Sequence, residues 1–220
     1  MKRTVMILCT AAMLVATGIL FSASSLQAPS GSWIAVGPMN SARSGTSAVL
    51  LQDGRILVTG GDDANGPSNV AEFFGANGSF SLATPMNVPR SGHISVAFQD
   101  GRILVAGGIT SGGSASSTAE IFDPIANSWT NIALGMMEAR SGATASLLPD
   151  GRVVVAGGQN GTFISSTIEV FDPSLGAFAF AFAGTMSSPR TQHAMAVFTD
   201  GRVLIVGGNN GTAPVGSTDI

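Results

Sequence analysis

Four ten-residue stretches decide the fold: QDGRILVTGG at Gln52–Gly61, QDGRILVAGG at Gln99–Gly108, PDGRVVVAGG at Pro149–Gly158 and TDGRVLIVGG at Thr199–Gly208. Their Asp-Gly-Arg triplets begin at Asp53, Asp100, Asp150 and Asp200, spaced 47, 50 and 50 residues apart. Self-similarity at such a period marks a repeat architecture, in which each unit is one supersecondary element. Ten residues before each triplet stands an arginine (Arg43, Arg90, Arg140, Arg190), and four before that a methionine (Met39, Met86, Met136, Met186). A carboxylate follows each triplet by 19 or 20 residues: Glu72, Glu120, Glu169 and Asp219.

Each unit reads as four short strands. Strand a follows the arginine, and the Asp-Gly pair is expected to close a two-residue hairpin, where positive φ suits glycine. Strand b is the apolar ILVTG type, buried on both faces, and ends in a Gly-Gly pair that permits unusual φ and close backbone approach. A polar loop leads to strand c around the carboxylate, with FDP at Phe122–Pro124 and Phe171–Pro173. Strand d carries an aromatic: Trp33 and Trp129 share one position, with Phe80 and Phe178 expected as its stand-ins. Helical periodicity is missing after residue 30, so this part reads as all-β. Four strands at a period near 50 residues describe a propeller blade.

The arginine, the DG turn, the Gly-Gly pair, the strand-c glutamate, FDP and the strand-d tryptophan resemble kelch repeats, closest in style to the bacterial galactose-oxidase-like kind. The resemblance covers about residues 31–220, with repeats at about 40–86, 87–136, 137–186 and an incomplete 187–220. It implies an all-β, kelch-type β-propeller of about four four-stranded antiparallel blades. The family's usual strand-c tyrosine is phenylalanine here, at Phe74, Phe122 and Phe171. The radical-copper chemistry of galactose oxidase needs tyrosine ligands and a cysteine–tyrosine cross-link. With no tyrosine and one cysteine, Cys9, the chain does not supply it. Other family members act on sialic-acid sugars, and no unique Glu/Arg constellation carries that activity over.

Charge is sparse, 10% of residues against about 25% in ordinary soluble chains. With a sequence pI near 5.2 and no Lys/Arg cluster, a nucleic-acid partner is not expected. Beyond residue 3 the eight basic residues are all arginines, and all stand at repeat positions. Of thirteen acids, only Asp62, Asp63 and Glu138 fall outside the repeat. A group present in every blade reads as framework. Arg43, Arg90, Arg140 and Arg190 are therefore expected to pair with Glu72, Glu120, Glu169 and Asp219, because an isolated buried charge is costly. No catalytic constellation, metal site or cofactor is expected. His93 and His193 stand at one repeat position, two blades apart. Facing the axis they could share a metal; a strand position that tolerates several side chains is the preferred reading. The cluster Asp62-Asp63-Ala64-Asn65-Gly66 lacks the ligand order of a calcium loop and reads as a polar turn.

The loops between strands b and c vary most among repeats, and recognition normally resides in variable loops on a rigid scaffold. Asp62, Asp63, Asn65, Gln159, Asn160, Asn209 and Asn210 are the candidate binding residues, suited to a carbohydrate or a polar protein ligand. Asn77, Asn160 and Asn210 each begin an Asn-Gly-Ser/Thr sequon, which matters only in a eukaryotic secretory pathway. The alternative is that the chain forms the front of a larger oxidase-like or glycan-active propeller enzyme, with catalytic residues beyond residue 220.

Lys2 and Arg3 precede an apolar run, Val5–Phe21, and small residues ending at Ala28. This is the pattern of a secretory signal peptide over 1–28, with an uncleaved anchor as the lesser possibility. The chain is expected to be secreted, periplasmic or on the cell surface, with no other membrane contact. Residues 31–38, GSWIAVGP, read as a strand d with no strands before it, whereas residues 191–220 supply a, b and the start of c. The N-terminal strand could complete the fourth blade and close a ring. An open arc from an incomplete chain, with Trp33 unpaired, is the favoured expectation.

Overall fold

A computed structural model describes residues 33–178 and 180–220, so the signal reading of residues 1–28, Cys9 included, lies outside the described residues. Four antiparallel sheets follow one another along the chain, each made of consecutive strands. Blade 1 holds β1 (Ser47–Leu50), β2 (Ile56–Thr59), β5 (Ala71–Phe74) and β6 (Phe80–Leu82), with a two-stranded ribbon β3 (Asp62–Asp63) and β4 (Gly66–Pro67) inside its b–c loop. Blade 2 holds β7 (Ile94–Ala97), β8 (Ile103–Ala106), β9 (Ala119–Asp123) and β10 (Ser128–Asn131). Blade 3 holds β11 (Thr144–Leu147), β12 (Val153–Ala156), β15 (Thr167–Phe171) and β16 (Phe180–Thr185), with a ribbon β13 (Gln159–Asn160) and β14 (Phe163–Ile164). Blade 4 holds β17 (Ala194–Val197), β18 (Val203–Val206) and β19 (Thr218–Asp219). One 3-10 turn, Pro173–Phe178, interrupts the all-β pattern between strands c and d of blade 3.

Three local expectations need correction. The DG turn takes three residues. Leu51 N donates to Arg55 O and Gly54 N to Leu51 O, with φ positive at Gly54 alone. That is the type I turn with a glycine bulge, the next commonest hairpin loop. The strand-d aromatic of blade 3 is Phe180, not Phe178: Phe180 pairs with Phe171 in register, as Trp129 pairs with Phe122. The 3-10 turn displaced the register by two residues, which composition alone did not reveal. Finally, residues 33–38 form no strand, and Trp33 is fully exposed. No strand c lies beside them. Among the described residues no hydrogen bond joins 33–37 to 214–220, so the arc is open.

Strand a is innermost, where β1, β7, β11 and β17 neighbour one another in turn. Its side chains alternate between the two adjacent blades, as period-2 geometry requires. On β7, Ile94 and Val96 pack with Val153, Val155 and Phe171 of blade 3. Ala97 packs with the Leu57 and Phe73 cluster of blade 1. The core is thus divided into the slots between blades, and the two-sided burial of strand b (β8 and β12 throughout) follows.

The glycine pairs explain how closely the blades approach. A Cβ on Gly60 would lie 2.2 Å from the carbonyl oxygen of Arg90 in the next blade; on Gly107, 2.5 Å from that of Arg140; on Gly157, 2.3 Å from that of Arg190. The second glycine of each pair donates to that same carbonyl: Gly61 to Arg90, Gly108 to Arg140, Gly158 to Arg190. Nearer the axis a second series runs the other way. Gly92 N donates to Gly45 O, Gly142 N to Gly92 O, and Gln192 N to Gly142 O. All four residues are left-handed, Gln192 included at φ 55.

Gly107 and Gly207 offer a controlled comparison, with φ of 70 and 69 but nothing within 4 Å of a Cβ on Gly207. An alanine at either position carries the left-handed penalty, roughly 1–2 kcal/mol. Gly107→Ala must also separate two blades, at a further cost of about 1–3 kcal/mol. Urea unfolding should therefore rank Gly107→Ala well below Gly207→Ala in stability; equal midpoints would show that blade approach does not require the glycine.

Candidate binding faces

One end of the arc carries the repeated charges. In each blade the arginine guanidinium reaches the strand-c carboxylate within 2.8 Å: Arg43–Glu72, Arg90–Glu120, Arg140–Glu169 and Arg190–Asp219. The side chains are buried except Asp219, which is 20% exposed. The same guanidinium ties strand b to strand c. Arg90 donates to the carbonyls of Gly107 and Thr118, and Arg140 to those of Gly157 and Thr167. The carboxylate in turn accepts from the backbone that enters the blade: Asn40, Asn87 with Val88, Met137 with Glu138, and Ser187. Each pair is therefore the clamp that brings the chain from the outer strand d of one blade to the inner strand a of the next. The Nε atoms of Arg43, Arg90 and Arg140 remain without an acceptor. The methionine ahead of the arginine presses its Cε towards the preceding blade's first glycine, as Met86 does at Gly60 and Met136 at Gly107.

The b–c loops surround these clamps. Directly after the glycine pair, each loop is bridged to the residue after the arginine: Ser44 with Asp62, Ser91 with Ile109, Ser141 with Gln159, Thr191 with Asn209. Four equivalent positions are thereby held on an equivalent backbone, carrying a carboxylate, an aliphatic and two amides. The candidate binding residues divide into two groups. Asp63 accepts from Asn65 N, Asn209 from Gly211 N, and Asn210 from Thr212 and Ala213 N, so these side chains shape their own loops. Asp62 and Asn160 are exposed and Gln159 is half-buried, free to meet a ligand, as is the exposed side chain of Asn65.

Each histidine engages the blade before it rather than the other histidine. His93 Nε2 lies 2.9 Å from Thr59 Oγ1 and His193 Nε2 lies 2.6 Å from Thr144 Oγ1. Burial and the adjacent arginine push His93 down to about 3, and likewise His193 to about 4. Among the described residues, no three His, Cys, Asp or Glu side chains gather as metal ligands do.

The opposite end is built from the constant turns. Arg55, Arg102, Arg152 and Arg202 pair with Asp53, Asp100, Asp150 and Asp200 two residues earlier, in solvent. Arg55 also lies over the Phe73 ring, 3.9 Å from its centroid. The arginine side chains hold Asp53, Asp100 and Asp150 below the usual carboxylate range, and the Arg202 backbone does the same for Asp200. Between blades 1 and 2 this face opens a cavity of about 510 Å³, lined by Leu51, Asp53, Asp100, Arg102, Pro124 and Ile125. Sequence reasoning missed this face, since its turns scarcely vary among the repeats. The one signal was Ile125, an apolar residue at the tip of the c–d turn, now 97% exposed.

A family model described as the KLHDC2/KLHL20/DRC7 Kelch-repeats domain matches residues 32–208. No curated protein matches the chain. Among solved structures it is similar to YjhT, with a TM-score of 0.65 at 15% identity; the alignment covers 76% of this chain and 59% of that one. At that identity the likeness is one of fold.

Two consequences are measurable. Arg90→Met leaves Glu120 buried and unpaired and should destabilise by about 3–5 kcal/mol, with partial recovery in the Arg90→Met/Glu120→Leu double variant. Asp100→Asn, in the exposed pair, should stay within about 1 kcal/mol. Chemical denaturation of the three variants reads out both. For pH, the unfolded histidines bind protons near 6.5 that the folded ones refuse until about 3 and 4. Stability contributed by the neutral rings is complete above pH 6.5 and falls as the pH drops towards 4. A His93→Ala/His193→Ala chain should show a flatter slope across that window, and an unchanged slope would remove the histidines as its cause.

Proposed function

The chain belongs to the kelch-repeat β-propeller family, and from that premise we propose that it is a secreted interaction module binding a protein or carbohydrate partner through its b–c loops. The observation that carries this is the set of four bridged loop positions, Asp62, Ile109, Gln159 and Asn209, which differ in chemistry on an otherwise repeated frame. A rigid scaffold with variable side chains at one end selects a partner without ordering loops first, which limits the entropic cost of binding. Asn160 and Asn65 extend that surface. The polar character suits hydroxyl groups or a polar protein surface. Export is proposed from Lys2, Arg3, the Val5–Phe21 run and the small residues after it; mass spectrometry of the N-terminus of exported protein tests it.

A second reading is that the chain forms the leading part of a longer propeller enzyme. Its support is that the chain spans 59% of the length of YjhT. Sequence beyond Ile220 bearing Tyr, His and Cys would favour it.

Binding to a glycan array and to a panel of exported proteins separates the ligand classes. On whichever ligand is found, Asp62→Ala and Gln159→Ala should each weaken binding by roughly tenfold, about 1.4 kcal/mol, without shifting the melting temperature. Asp150→Ala, on the opposite face, should leave affinity unchanged. Loss of binding with Asp150→Ala alone would move the site to the turn face.

A further inference from the structure

The cavity between the turns of blades 1 and 2 departs from the repeat around it. Its inner wall is Leu51, which packs with Ile103 and Phe122 of blade 2. At the next slot the same position is Phe98, which packs with Val153 and Phe171 of blade 3. Its rim is Ile125, the residue after the Asp-Pro pair of blade 2, 97% exposed. The equivalent residue of blade 3 is Ser174. Beside Ser174 the corresponding cavity holds about 330 Å³ against about 510 Å³, and blade 2 contributes nothing to its lining. A leucine in place of a phenylalanine thus opens the inner end, and an isoleucine in place of a serine makes the outer end apolar. The resulting volume falls within the roughly 300–1,000 Å³ of small-ligand sites.

Three carboxylates and one guanidinium line the larger cavity: Asp53, Asp100, Asp123 and Arg102. Asp53 and Asp100 are already occupied. Each accepts from the backbone amide of its turn arginine on Oδ1 and from that arginine's Nε on Oδ2. Asp123 differs. Its Oδ1 accepts from the amides of Ile125 and Ala126, and among the described residues nothing donates to its Oδ2. The walls are fixed to one another. Gln52 Nε2 donates to Gln99 O, which joins the two a–b turns, and Thr84 N of blade 1 donates to Asn127 Oδ1 of the c–d turn. The cavity is therefore formed before a ligand arrives, which limits the ordering cost of binding.

We propose that this cavity binds a small organic cation, an ammonium group carried on an apolar body. The body lies between Leu51 and Ile125 and takes the exposed face of Ile125 out of water. The ammonium donates to Asp123 Oδ2, the acceptor that the turn leaves unused. Charge selects the sign of the ligand, since three carboxylates face one guanidinium and Arg102 is already paired with Asp100. An anion would meet the same carboxylates. The site lies on the end of the arc opposite the b–c loops, so it stands or falls independently of the recognition proposed for those loops.

The probe is phenethylammonium, titrated against the full chain with the amide resonances of Gly101, Ile125 and Ala126 as the readout. Neutral phenethyl alcohol and the anion hydrocinnamate carry similar bodies. The ammonium should bind and shift those amides. The alcohol should bind roughly tenfold more weakly, for want of the charge-assisted hydrogen bond, and the anion not at all. Asp123→Asn keeps an oxygen for the Ile125 and Ala126 amides and removes the charge. It should lower the affinity for the ammonium by roughly tenfold and leave that for the alcohol unchanged. Asp172→Asn, at the same position of blade 3, should change neither. Leu51→Phe installs the residue of the next slot and should abolish binding of both ligands. If that chain fails to fold, Ile125→Ser, on an exposed side chain, tests the apolar rim and should weaken both ligands alike. Equal affinity for the ammonium and the alcohol overturns the proposal, as does an Asp123→Asn chain that binds the ammonium like the parent. A parent chain that does not bind the ammonium, or binds it without shifting those amides, overturns it too.

Discussion

The buried arginine–carboxylate clamp is the interaction on which the rest of the arc depends. A propeller chain must travel from the outer edge of one blade to the inner edge of the next, across the end of the sheet it is entering. Apart from one buried methionine (Met86, Met136 or Met186), that crossing is held by polar contacts. Glu120 holds it by two backbone amides, and Arg90 binds Glu120 while closing the ends of β8 and β9. Burying two charges is costly unless geometry is good and the remaining valences are filled. Here the carboxylate oxygens are filled and both terminal nitrogens of each guanidinium find acceptors, which leaves only Nε of Arg43, Arg90 and Arg140 without one. The clamp sets the path, and the path sets where strand a begins.

From that constraint the blade spacing follows. The arginine that anchors the crossing also offers its carbonyl to the preceding blade, so one residue is both the inner fastening of its own blade and the outer contact of its neighbour. Only glycine admits that carbonyl at the distance observed. The aliphatic slots between blades then close to full burial, as at Ile103, Val105, Val153 and Val155. Polar groups enter the slots singly and with a partner, as His93 does with Thr59.

Much of this was legible in the sequence, for a physical reason. Features that every blade needs recur at a fixed interval, so the framework arginines, carboxylates, glycine pairs and turns announce themselves by position. What differs between blades was harder to read. Phe180 was hidden because the 3-10 turn after Pro173 occurs once. The three-residue DG turn was misread because a glycine bulge and a two-residue turn share the same dipeptide. The exposed Asp62 and Asn160 were visible as polar loop residues. Their division from Asp63, Asn209 and Asn210, which satisfy their own loops, depends on hydrogen bonds that composition does not encode. The cavity beside Ile125 arises between two blades, and its one trace in a repeat is that apolar residue at a turn tip.

Each of the first three blades is built from one uninterrupted run of chain, with its strands in the order in which they occur. During synthesis, blade 1 can therefore assemble once residues through Leu82 have left the ribosome, and it needs nothing encoded later to complete its sheet. Later blades meet a finished surface and dock on it one at a time. The search for partners stays local however many blades follow, since the strands within a blade and the neighbours across a slot lie within about one repeat of each other. Vectorial growth of this kind adds no exposed apolar surface beyond the two end faces of the growing arc, and avoids holding a long unpaired strand until a distant segment arrives.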